Sequence, residues 1–70
     1  PDSPFLLSVD GLFCLRLWVT QDGTLISTVG PLHLNPSSVI QWFLALDNLH
    51  ELCILLSPFD YIIKLTLPST

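Results

Sequence analysis

The chain is short of charge, and shortest of positive charge. Its 70 residues include two Lys or Arg and six Asp or Glu, so 11% are charged and the formal net charge is −4. A typical soluble domain carries about 25%. Arg16 and Lys64 cannot form the basic stripe that neutralises nucleic-acid phosphates, which excludes nucleic-acid binding. The same shortage argues against anchoring to an anionic membrane surface. The acids (Asp2, Asp10, Asp22, Asp47, Glu51 and Asp60) are scattered, so there is no acidic tail. Methionine is absent and the sequence starts at Pro1, which reads as a trimmed domain or a cleavage product of a longer protein.

Other absences narrow the class further. No stretch reaches about 18 uninterrupted apolar residues, so no transmembrane helix is expected. Residues 12–19 are interrupted by Arg16, and 52–56 are too short. The N-terminus has neither a basic nor an apolar signal region. Cys14 and Cys53 are too few for a disulfide framework, and Asn35-Pro36-Ser37 has proline where a glycosylation acceptor forbids it. Two free thiols and no glycosylation acceptor point to an intracellular location, cytoplasmic or nuclear. Glycines 11, 23 and 30 stand alone, so there is no phosphate-cradling loop. G-x-S-x-G, H-E-x-x-H and C-x-x-C are all missing, and the chain is not expected to be an enzyme.

What is present is turn chemistry between apolar segments. Asp10-Gly11 and Asp22-Gly23 are hairpin signals, because both residue types tolerate positive φ. They divide residues 5–9, 12–20 and 24–29 into a three-strand antiparallel meander. On the middle strand Phe13, Leu15, Leu17 and Val19 share one face and Cys14, Arg16 and Trp18 the other. Gly30-Pro31 closes the meander. Asn35 then reads as an N-cap and Pro36 as a first helical residue. Residues 37–48 lack glycine and proline, and at 3.6 residues per turn they predict a helix of about three turns. Its apolar arc (Val39, Ile40, Trp42, Phe43, Leu44, Leu46 and Leu49) is wider than the roughly 100° of a one-sided helix. Residues 52–56 read as a buried strand. After the turn at Ser57-Pro58-Phe59-Asp60, residues 61–67 read as an alternating strand.

The resulting order, β-β-β-α-β-β, gives an α+β fold: a small antiparallel sheet packed on one central helix. It covers residues 1–70 as a single small domain with frayed ends at 1–4 and 68–70. That order resembles the β-grasp (ubiquitin-like) architecture. It also resembles the front half of profilin-like folds such as longin domains. The resemblance rests on element order and implies no function.

The titratable residues offer little chemistry. Asp47, His50 and Glu51 cluster, and an acid can orient an imidazole or help hold a metal. At a helix C-terminus a histidine has a simpler role against the macrodipole. A zinc site would further need His33, Cys14 or Cys53, none at a ligand spacing. Cys53 lies three residues after His50, but within an apolar run it behaves as a small hydrophobe. No catalytic residue, cofactor or metal ligand is therefore expected.

The surplus is apolar surface. Half the residues are hydrophobic, and a domain of this size buries only roughly 60% of its unfolded-chain surface. Too few charges remain to cover the rest, and exposed apolar patches mark interaction sites. The expected function is a non-catalytic protein–protein interaction module. It would bind another chain in a homo- or hetero-oligomer, or the remainder of its own parent chain. Arg16 and Trp18 on a strand face, with Trp42, Leu46 and Leu49 on the helix, are the expected partner-binding residues. The alternative is a small apolar-ligand or lipid-binding domain that turns the same surplus inward around a cavity.

Overall fold

The computed structural model describes residues 4–46, 48–58 and 60–68. It is all-β among these residues, and the expected α+β fold with a central helix is overturned. Six strands run in order: β1 (Phe5–Val9), β2 (Leu15–Val19), β3 (Leu25–Val29), β4 (Val39–Leu46), β5 (Glu51–Ser57) and β6 (Tyr61–Thr66). They form two three-stranded antiparallel sheets, ordered β1-β2-β3 and β4-β5-β6. Each sheet belongs to its own compact unit. The described residues up to His33, with Pro68, make one unit, and Leu34–Leu67 make the other. With no helix between the strand groups, the likeness to β-grasp and longin-type element order falls.

The segment expected to be helical is β4, and its sequence explains why. Val39, Ile40, Trp42 and Phe43 are β-branched or aromatic, types that lose rotamer freedom in a helix and fit a pleated surface. An apolar arc too wide for a one-sided helix is what a strand with two apolar faces looks like when wound at 3.6 residues per turn. The start signal at Asn35 is real but serves a turn. Asn35 Oδ1 accepts from the Ser37 backbone N–H at 2.9 Å and from the Ser37 hydroxyl at 2.8 Å. The Asn35 carbonyl accepts from Ser38 N–H at 2.9 Å. One turn forms, no second follows, and the chain enters β4. Asparagine favours both outcomes because its side chain satisfies nearby backbone donors in either.

In the first unit β2 is the central strand. Leu7, Leu17 and Ser27 lie abreast, as do Val9, Leu15 and Val29. Leu15 and Leu17 are fully buried. Ser27, buried on the same face, donates its hydroxyl to the Pro68 carbonyl at 3.1 Å. A bulge between Leu17 and Trp18 leaves Ile26 as the extra residue on β3.

The two Asp-Gly pairs do different things. At Asp22-Gly23 the glycine takes φ +74°, and its N–H reaches the Val19 carbonyl at 2.9 Å. At Asp10-Gly11 the positive φ falls instead on Phe13 (59°). There the Asp10 carboxylate organises a longer loop through the N–H groups of Leu12 (2.9 Å) and Cys14 (3.1 Å). Gly30 is fixed by close approach. A Cβ at its φ of +117° would stand 2.7 Å from the Phe13 carbonyl oxygen, beside the bond from Leu32 N–H to that same oxygen at 3.0 Å.

In the second unit β5 is central, and Leu52, Ile54 and Leu56 have no exposed surface. Its inward triplets are Ile40–Leu56–Tyr61, Phe43–Ile54–Ile63 and Ala45–Leu52–Leu65. The fit depends on a bulge at Gln41. Strict alternation from an inward Ile40 would send Trp42 inward and Phe43 outward. The extra residue reverses that, so Phe43 faces in against Ile54 and Trp42 faces out against Leu55. Leu67 N–H closes onto the His50 carbonyl at 2.7 Å.

Candidate functional site

The outer face of β4-β5-β6 is built from the residues left over by that inward set. Its triplets are Trp42–Leu55–Ile62, Leu44–Cys53–Lys64 and Leu46–Glu51–Thr66, with Val39 opposite Ser57 at one end. Val39 and Ile62 are each 60% exposed, Leu44 53% and Trp42 44%. The β5 residues between them, Leu55 and Cys53, are half-buried. Directly opposed and diagonal side chains on one sheet face lie within reach of one another, so these residues make one contiguous apolar surface. Among the described residues its charges are Lys64 and Glu51, whose Nζ and Oε1 are 3.7 Å apart. An exposed pair of this kind adds at most about 1 kcal/mol to stability. Its larger effect is to leave the described residues of the face without net charge.

The first unit has a smaller outer face with a different character. Leu6, Trp18 and Leu25 lie abreast, beside the polar row Ser8, Arg16 and Thr28. Trp18 is half-buried, and its indole N–H donates to Ser8 Oγ at 2.9 Å. Arg16 is turned toward the β1–β2 loop, where Nη1 meets Asp10 Oδ2 at 3.4 Å. The backbone N–H groups of Cys14 and Leu12, with Arg16 beside them, hold the Asp10 carboxyl below its ordinary range. Asp22 is held low in the same way by the hydroxyl and backbone N–H of Thr24.

The five residues singled out from the sequence divide accordingly. Arg16 and Trp18 share the outer face of β2. Trp42 and Leu46 share the outer face of β4, on a strand and not on a helix. A spacing of four keeps two residues on one side under either periodicity, which is why this pair survives the change of element. Leu49 leaves them and sits in the β4–β5 loop with φ +71°. Sequence reasoning left Ile62 with Lys64 and Thr66 on the less apolar side of β6, and it took Val39 and Leu44 as part of a helix. The signal that could have found Val39 and Leu44 is the scarcity of polar residues in β4, where Gln41 stands alone, the mark of a strand apolar on both faces. Ile62 joins them only through the register of β5 and β6.

Of the titratable cluster, His50 and Glu51 flank the start of β5, while Asp47 lies outside the described residues, as does Phe59. No group of three His, Cys, Asp or Glu able to hold a metal occurs among the described residues. Cys14 and Cys53 are both half-buried free thiols in separate units. No helix among the described residues is long and apolar enough to cross a membrane. Set beside known proteins, the chain matches no family model, no curated protein and no solved structure.

Proposed function

We propose that the chain is a non-catalytic protein–protein interaction module whose docking surface is the outer face of β4-β5-β6. The observation that carries this reading is the exposure of Val39, Trp42, Leu44 and Ile62 on one contiguous sheet face. Scattered apolar side chains on a surface are ordinary, but a contiguous set rimmed by polar groups is characteristic of a site that a partner covers. Trp42 has the size and rigidity of an interface anchor. The Lys64–Glu51 pair and Thr66 form the polar rim on one side.

The reading predicts that the face is dispensable for folding. Replacing Leu44 and Ile62 together by threonine keeps β-favouring side chains and leaves the net charge at −4. Its cost to stability should stay below about 1 kcal/mol, since neither side chain is part of the buried set. Thermal unfolding read by circular dichroism measures that cost. Nile red binding at high dilution should fall in the double variant at the same time. A collapse of stability would place the face in the core. Unchanged saturable 1:1 dye or fatty-acid binding would locate the apolar site elsewhere and favour a carrier of small apolar ligands.

A further inference from the structure

We infer that the occupant of this face is a second copy of the chain, the two outer faces of β4-β5-β6 packing on each other about a two-fold axis. The inference rests on the docking reading above and names its partner. Its first support is charge. The chain carries −4 overall, yet among the described residues the charged groups on this face are Lys64 and Glu51, which cancel. Among the described acids, Asp10 and Asp22 stand in loops of the other unit and Asp60 in the β5–β6 turn. A partner with a basic or an acidic patch would find no counter-charge here, and complementarity of that kind is how heterologous partners are steered and selected. A second copy meets no repulsion at this face. A two-fold axis that sets Lys64 of one copy against Glu51 of the other leaves both charges paired.

The second support is the form of the surface. Two sheets pack face to face when their inner sides are apolar, at a spacing of about 10 Å. The outer side of this sheet has that composition along β4 and β5 and at Ile62 of β6, with Trp42, Leu44, Leu55, Cys53 and Ile62 in adjoining positions. A two-fold contact uses the same patch on both copies and closes on itself, so it consumes the face without leaving a second one for further growth.

The solution mass of the chain, followed by light scattering over a concentration series, tests this. The expected result is a monomer–dimer equilibrium that stops at two copies. Leu44→Lys, which would bury an unpaired ammonium at the centre of the contact, should abolish the dimer while leaving the circular dichroism spectrum intact. Leu44→Thr/Ile62→Thr removes two apolar contacts from each copy and should raise the dissociation constant about 100-fold or more. In a Cys14→Ser chain, alkylation of Cys53 should slow as the concentration rises through the dimerisation range.

A folded monomer at every concentration would overturn the second copy as occupant while leaving the docking face in place for a different partner. Open-ended growth, or a dimer that Leu44→Lys does not weaken, would overturn it as well. A double threonine variant that fails to fold would instead remove the docking reading itself.

Discussion

Asp10 shows how one side chain can organise a loop that its neighbouring glycine was expected to organise. Its carboxylate takes two backbone N–H groups, from Leu12 and Cys14, and lies beside Arg16. The Asp-Gly signal therefore located the turn correctly but for the wrong reason. The strained φ at this turn belongs to Phe13, a position that no rule of turn composition singles out. The pH consequence follows from the direction of the shift. The carboxyls of Asp10 and Asp22 are held below the ordinary value of 3.8. Their hydrogen bonds therefore contribute stability that is fully present above that value and is lost as pH falls through the lower, folded-state values. Asp10→Asn keeps an oxygen that accepts from the same N–H groups but cannot ionise. Thermal midpoints of the two proteins should differ most near neutrality and converge only once the pH has fallen below the lowered folded-state value of Asp10, where the wild-type carboxyl is itself neutral. Parallel curves across the acid range would mean that the Asp10 charge does not support the loop.

Strand β4 is where element-level reasoning from sequence failed, and the failure has a single physical source. A segment apolar on every side carries no usable periodicity, so capping chemistry at Asn35 and the absence of glycine and proline decided the reading for a helix. The five other strands were legible because turn residues bracket them, or because, as in β6, they alternate. What distinguishes β4 is its content of Val, Ile, Trp and Phe, and its pairing with β5 over seven positions from Val39↔Ser57 to Leu46↔Glu51. The bulge was not legible at all, since Gln41 is an unremarkable residue for either element. Yet the extra residue at Gln41 breaks the alternation, and so Trp42 falls on the outer face of the sheet. Deleting Gln41 should be tolerated. Ile40 would still face Leu56, Trp42 would still face out and Phe43 in, now by plain alternation. The expected cost is about 1 kcal/mol or less, the scale of changes that leave core packing intact. Deleting Leu44 instead would exchange the two faces beyond it, turning Ala45 outward and Leu46 inward, and should destabilise the protein severely. Denaturant titration of the two deletion variants makes the comparison. Equal damage from both would show that the bulge, and not the face assignment it produces, matters to the fold.

At the scale of the whole chain, scarcity of charge was the most informative property of the sequence. It implied surplus apolar surface before any element was placed, although it could not say which residues would carry it. Locating that surface required the register of β4-β5-β6, because Val39, Leu44 and Ile62 become neighbours only through pairing across strands. Composition also sets when the surface should matter most. At pH 7 a charge of −4 holds copies apart at long range. That repulsion vanishes near the isoelectric point of about 4.4. This lies above the range in which Asp10 and Asp22 give up their hydrogen-bonded, ionised state, so the chain should still be folded there. Self-association measured by light scattering should therefore rise as pH falls from 7 to 4.4, and added salt should strengthen it near pH 7 but change it least near the isoelectric point, where little charge remains to screen. Leu44→Thr/Ile62→Thr has the same ionisable groups and hence the same charge at every pH, but less apolar surface to bury. Its rise toward pH 4.4 should be clearly smaller than that of the wild type. Coincident curves for the two proteins would assign the association to loss of charge alone and would exclude the β4-β5-β6 face as its route.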